Sequence, residues 1–205
     1  MKSIKAHETL LKNLKKSVYN CDWVILTDLN LDLIMDLSYT FDGMIYLVIN
    51  DRRNFEDQPI YNHLKFSKNI QICYEIIDSE TKKIVWNIYN DSRFNSSDFE
   101  SKENVSFKNL KIIKKEERQT LTLNELLYKK KLKPERKGSI FTSYELAKKI
   151  FSSSSDFQYE FINSLVIHTF KNNDEITKIK EDLNKNFIYE KYKCDQFTLW
   201  EFNPN

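Results

Sequence analysis

Three carboxylates and a pair of guanidiniums stand where a strand end would present them. The stretch "NDRRNFEDQP", residues 50–59, follows an apolar run and gathers Asp51, Arg52, Arg53, Glu56 and Asp57. Loops at strand ends are where sites tend to lie, and adjacent arginines suit bidentate capture of a carboxylate or phosphate. Arg52 and Arg53 are therefore the anion-binding candidates, set against the plainer expectation of a surface loop paired within itself. No full catalytic set is expected. Asp51 and Glu75 come nearest to one, as the acids a metal-dependent nuclease would use, although an acid-x-Lys arrangement beside them is missing.

Other groups are sparser. His7, His63 and His168 lack a second metal-type ligand at a telling spacing, so no metal site is expected. His7 falls on the apolar stripe of a predicted helix and His63 in a loop. "HTF" at 168–170 puts its threonine one place too early for a two-histidine phosphoesterase. Gly43 and Gly138 are the only glycines, which leaves no G-x-G-x-x-G, Walker A or G-x-S-x-G element; no cofactor is expected. Cys21, Cys73 and Cys194 are odd in number and widely spaced, supporting neither a disulfide framework nor a thiolate zinc site.

The strongest single feature is cationic. Lys129, Lys130, Lys131, Lys133, Arg136 and Lys137 fall within nine residues, opposed only by Glu135. Such a loop suits phosphate contact, because neutralising backbone charge releases counterions, and Tyr128, Phe141 and Tyr144 stand close enough to stack on bases. The net charge of +2 hides an uneven distribution: +4 over residues 1–21, −7 over 22–107, +8 over 108–149 and −3 over 150–205.

The elements that must carry these groups read mainly as sheet. Residues 2–19 place Ile4, His7, Leu11, Leu14 and Val18 on a helical stripe. "DWVILTD" fits a strand buried on both faces. In "LNLDLIMDLSYTF", every odd position from Leu29 to Phe41 is apolar, so the period of two predicts a strand. Asp28, Asp32 and Asp36 would then share its wet face about 13 Å apart, at roughly 3.3 Å per residue, too far for neighbours to share a metal or a proton. Asp42-Gly43 would turn that strand into an antiparallel partner over Met44–Ile49. A second hairpin is expected from 70–78 and 83–90, with a further strand at 105–113. Thr122 with Glu125, and Thr142 with Glu145, read as capping boxes that open two helices. Pro134 and Gly138 should stop the first of these. The tail reads as a strand around 165–170, a helix over 172–186 and two extended segments; a winged helix is the other possibility.

The expected fold class is thus α+β: an antiparallel β-meander, sheet or partial barrel, with an N-terminal helix over 1–114, a basic helical connector over 115–155, and a smaller C-terminal α/β or winged-helix-like subdomain over 156–205. The expected function is a non-enzymatic, nucleic-acid-associated binding protein. Its basic segment, within residues 108–149, would meet DNA or RNA, and its sheet would bind a protein partner. A pure protein-interaction module (an inhibitor, immunity-type protein or complex subunit) is the alternative, and a metal-dependent nuclease or phosphoesterase the third. The longest apolar run, Met44–Ile49, is far short of the roughly 20 residues that span a bilayer, so no membrane partner and a cytoplasmic location are expected.

Overall fold

The computed structural model describes residues 12, 18, 21–27, 31–92, 95–97, 109–133, 135–153, 161–168, 188–193 and 197–202. The expected N-terminal helix (apart from Lys12 and Val18), His7, Asp28, Pro134, Cys194 and the helix over 172–186 lie outside them. Among the described residues no helix is long and apolar enough to cross a membrane.

The first ordered strand, β1 (Trp23–Leu26), is buried at every position, as the unbroken run "WVIL" requires of a strand covered on both faces. Residues that follow it depart from the expected strand and form a helix, α1 (Leu31–Thr40). The odd-position apolar pattern misleads because a spacing of four satisfies a period of two and a helical period alike. Leu33, Leu37 and Phe41 are spaced by four, and with Ile34 they share about 100° of helix circumference; all four are buried. Leu31 and Tyr39, which completed the alternation, are 42% and 71% exposed. Asp32 and Asp36 accordingly sit on a helix, not on the wet face of a sheet.

A helix between the two strands also settles their pairing. β2 (Met44–Val48) returns parallel to β1, with Trp23 opposite Met44 and Leu26 opposite Leu47. A parallel partner needs a crossover, which a two-residue turn cannot supply. Gly43 serves instead as a point of close approach: a Cβ there would lie 2.4 Å from the Asp22 carbonyl oxygen, and the residue has no positive φ.

Two short helices follow, α2 (Arg52–Glu56) and α3 (Pro59–Leu64), the second carrying His63. They lead to β3 (Ile70–Cys73), which pairs parallel with β2. The expected second hairpin does not form. β4 (Ile76–Ile77) and β5 (Lys83–Tyr89) both flank β6 (Ile112–Leu121) in a separate three-stranded sheet, β4 parallel to β6 and β5 antiparallel. Thr120, fully buried, ties the connection down by donating its hydroxyl to the Glu80 carbonyl at 2.7 Å and accepting from the Lys82 N–H at 2.9 Å.

Thr122 and Glu125 form the expected capping box and open α4 (Leu123–Lys129). That helix ends in a Schellman motif: the Leu132 N–H reaches the Leu127 carbonyl, the Lys131 N–H reaches Tyr128, and Lys131 occupies the left-handed region at φ 56°. β7 (Gly138–Ser143) then returns beside β1, parallel, with Gly138 opposite Trp23. α5 (Tyr144–Ser153) follows, and the Leu146 N–H points to the Ser143 hydroxyl at 3.4 Å. The cap oxygen is thus one residue later than the expected Thr142, which is buried in β7. β8 (Ile162–His168) pairs parallel with β7, and β10 (Phe197–Phe202) lies antiparallel between β8 and β9 (Ile188–Lys193).

The main sheet therefore runs β3-β2-β1-β7-β8-β10-β9, with five parallel strands and an antiparallel pair at one side. This is a doubly wound α/β architecture, not an antiparallel meander, and the described C-terminal strands β8, β9 and β10 belong to its main sheet. One face packs Val24, Leu26, Ile45, Leu47 and Phe141 under α1, Phe55 and Leu64. The other packs Trp23, Ile25, Tyr46, Ile140 and Leu165 under α4 and α5. Strands from all three expected segments of the chain meet in this one sheet.

Candidate functional site

Strand order reverses between β1 and β7: β1 leads to β2 on one side, while the chain later re-enters on the other. In open α/β sheets such a reversal leaves a crevice outside the carboxyl ends of the strands, where ligands bind. Here a cavity of about 440 Å³ lies at that place, within the usual size of small-molecule pockets.

Its floor is made by the strand ends, with Thr27 after β1, Val48 to Asp51 after β2, and Ser143 at the end of β7. Thr27 fastens the β1–β7 rim, since both its N–H and its hydroxyl donate to the Phe141 carbonyl, at 2.9 and 3.1 Å. The first two turns of α5 supply Glu145, Leu146 and Lys149. The opposite wall comes from the small sheet, through Ile76, Ile77, Ile84 and Trp86, and from Asn95 to Ser97. That sheet is inserted between β3 and β7, and Arg118 on β6 clamps it to the main sheet. Its guanidinium donates to the Asn50 carbonyl at 2.9 Å and lies 5.1 Å from the Trp86 ring centroid.

Asp51 sits at the junction of floor and wall. It caps α2 by accepting from the N–H groups of Arg53 and Asn54, and it accepts from the Trp86 indole at 3.0 Å. Burial alone would raise its carboxyl pKa; the donors Trp86, Asn95, Asn54 and Arg53 outweigh that and hold it below the ordinary aspartate range.

Of the other residues singled out from sequence, Glu75 accepts from Lys129 at the surface and is not part of the cavity lining. Arg52 pairs with Glu56 at 2.8 Å and packs over the Tyr74 ring, while Arg53 reaches Glu116 at 3.4 Å. His63 meets the Tyr39 hydroxyl at 3.2 Å. Among the described residues no group of three or more His, Cys, Asp or Glu is placed to hold a metal.

The basic run does not line the cavity. Residues 129–137 close α4 and enter β7 from its amino end. There the Arg136 carbonyl accepts from the Trp23 indole and the Lys137 carbonyl from the Asp22 N–H. Lys133 pairs with Glu135 at 3.9 Å, Lys129 with Glu75, and Lys130 lies against Cys73. The segment is a helix stop and strand entry of the main sheet, outside the cavity lining. The antiparallel sheet expected of a non-enzymatic, nucleic-acid-associated protein is corrected, because β3, β2, β1, β7 and β8 run parallel.

Sequence reasoning missed Thr27, Ser143, Glu145 and Lys149 as neighbours, and missed Trp86 as a wall. The available signal was the pair of apolar runs "WVIL" and "MIYLVI", whose lack of alternation marks parallel strands and so a crevice at their carboxyl ends.

No protein-family model and no curated protein matches the chain. Among solved structures the chain is similar to a proposed methyltransferase from Thermoplasma acidophilum, at 10% identity over 91% of this chain and 70% of that one, with a TM-score of 0.42. It is also similar to EvdMO1, at 9% identity over 95% of this chain but only 40% of that one, with a TM-score of 0.46.

Proposed function

We propose that the chain is a small-molecule group-transfer enzyme of the methyltransferase type, which binds a sulfonium nucleoside as methyl donor in the crevice between β1, β2 and β7. The observation that carries this reading is a cavity at the strand-order reversal that combines carboxylates with an aromatic wall and has no glycine loop. Its lining holds Asp51, Asp78 and Glu145 against a single lysine, Lys149. Lys82 offsets part of the Asp78 charge from 3.7 Å. A phosphate-bearing ligand meets repulsion there and finds no glycine-rich loop to cradle it, whereas a cationic nucleoside meets attraction.

When bound, a sulfonium nucleoside supplies an activated methyl group and leaves as a neutral thioether. The chain's own residues would then bind and orient. Thr27, Asn50 and Ser143 offer side-chain hydroxyls and an amide at the floor, Ile76, Ile77 and Trp86 exclude water along the wall, and Glu145 and Lys149 stand at the α5 side. Positioning of this kind supplies much of the rate in a direct displacement. A cytoplasmic location is part of the proposal, in keeping with three cysteines that are odd in number and widely spaced.

Titration calorimetry with S-adenosylmethionine, adenosine, ATP and NAD tests it. The expected result is saturable binding of S-adenosylmethionine and none of ATP or NAD. Binding of ATP or NAD in its place, or of none of the four, overturns it.

A further inference from the structure

Asp51 is 5% exposed, and both of its carboxylate oxygens are engaged. Oδ1 accepts from the Arg53 and Asn54 N–H groups at 2.9 and 3.3 Å. Oδ2 accepts from the Trp86 indole at 3.0 Å and from the Asn95 amide at 2.9 Å. A carboxylate offers about four lone-pair sites, so donors from three separate segments fill it. Asn95 is held in turn, because its own oxygen accepts from the Tyr89 N–H at 2.8 Å. The floor at β2, the wall strand β5 and residues 95–97 thus meet at one buried charge. A general base would need a lone pair turned towards its reactant, and here each is turned towards a neighbour.

We propose that Asp51 is a positioning residue of the crevice: through Oδ2 it fixes Asn95 and Trp86, the latter only 4% exposed, and so sets the wall strand β5 and residues 95–97 in place against the floor. This rests on the crevice being the ligand site. The Arg118 guanidinium lies 5.1 Å from the indole centroid, and the cavity borders the ring. A wall residue this rigid, held by a charge-assisted bond, keeps the crevice in one shape for its ligand.

Substitution by asparagine separates the two duties of Asp51. Asparagine keeps one oxygen to cap α2, and asparagine is a good cap. Its other terminal atom becomes an NH₂ facing two further donors, so the bonds to Trp86 and Asn95 are lost. Asp51→Ser, also a good cap but lacking the second oxygen, makes the same comparison should the asparagine variant not fold.

The test reads hydrogen exchange of the indole N–H groups by ¹⁵N NMR, with the Trp86 signal identified by its loss in Trp86→Phe. In Asp51→Asn the Trp86 indole is expected to exchange about tenfold faster or more, given the strength of a hydrogen bond to a charged group, while the other two tryptophans keep their rates. S-adenosylmethionine binding should weaken about tenfold, and Asp51→Asn should add little once Trp86 is already phenylalanine. Unchanged Trp86 exchange overturns the proposal, and so does faster exchange with unchanged affinity. If the wild type binds no S-adenosylmethionine, the functional reading fails by itself, while exchange still decides whether Asp51 holds the indole.

Discussion

Gly138→Ala probes the pairing on which the whole architecture depends, that of β7 with β1. A Cβ at Gly138 would lie 2.0, 2.1 and 2.3 Å from Cδ2, Cε3 and Cε2 of Trp23, whereas carbon atoms settle at about 3.5–4.0 Å. The ring would have to withdraw by about 1.5 Å. It cannot do so easily, because Trp23 is 1% exposed and its indole donates to the Arg136 carbonyl at 2.7 Å. β7 cannot yield either, since it is hydrogen-bonded on both sides, to β1 and to β8. Overpacking of this kind costs about 3 kcal/mol or more, which for a chain of this length lowers Tm by about 6–12 °C. Thermal and urea unfolding of Gly138→Ala, Trp23→Leu and the double variant measure it. Trp23→Leu alone leaves a cavity and costs about 2–4 kcal/mol, yet it makes room for the methyl group. The double variant should therefore fall short of additivity by at least about 1 kcal/mol. Costs that add to within about 0.5 kcal/mol, or an alanine variant as stable as the wild type, would refute the register of Gly138 against Trp23.

Three further outcomes follow from single features. Lys131 holds a left-handed conformation at the end of α4, so Lys131→Gly should stabilise the protein by about 1 kcal/mol, raising Tm by about 2–4 °C; a fall in Tm contradicts this. For Asp51, burial works to raise the carboxyl pKa and its donors lower it further than burial raises it. With the folded value depressed, its stabilising contribution is complete above the ordinary aspartate range and declines as pH falls through the folded value. The stability gap between wild type and Asp51→Asn should thus hold steady from neutral pH to about pH 5 and narrow below about pH 4; a gap that does not change with pH would count against it. Burial pushes the Cys73 thiol pKa up, with Lys130 opposing. Iodoacetamide at pH 8 should modify Cys73 far more slowly in the native than in the denatured protein, as read by peptide mass spectrometry.

Some local signals in the sequence are read correctly, and the long-range pairings are not. The box at Thr122 and Glu125 is legible because it lies within a single helical turn. The doubly buried run at 23–26 and the strand at 165–168 are legible because their side chains state their burial directly. Pairing is another matter. Met44–Val48 is a strand as expected, but its partners lie about 21 residues before and 25 after it, and the crossovers through α1 and through α2 and α3 make them parallel. Residues 29–41 mislead because Leu33, Leu37 and Phe41 fit both periods, and the exposed Leu31 and Tyr39 tip the count towards a strand. The crevice is illegible for the same reason: Thr27, Asp51, Trp86 and Ser143 are brought together by topology, and nothing in their spacing foretells it. The basic run is the most visible feature of the chain, and none of its described residues lines the crevice.

Hydrogen–deuterium exchange of the wild type, with and without saturating S-adenosylmethionine, tests the location of the site most directly. The account predicts slowed exchange in peptides that contain Thr27, residues 48–54, residues 76–86 and residues 143–149, with none at 129–137. Protection confined to 129–137, or absent from the four crevice segments while ligand is bound, would contradict it.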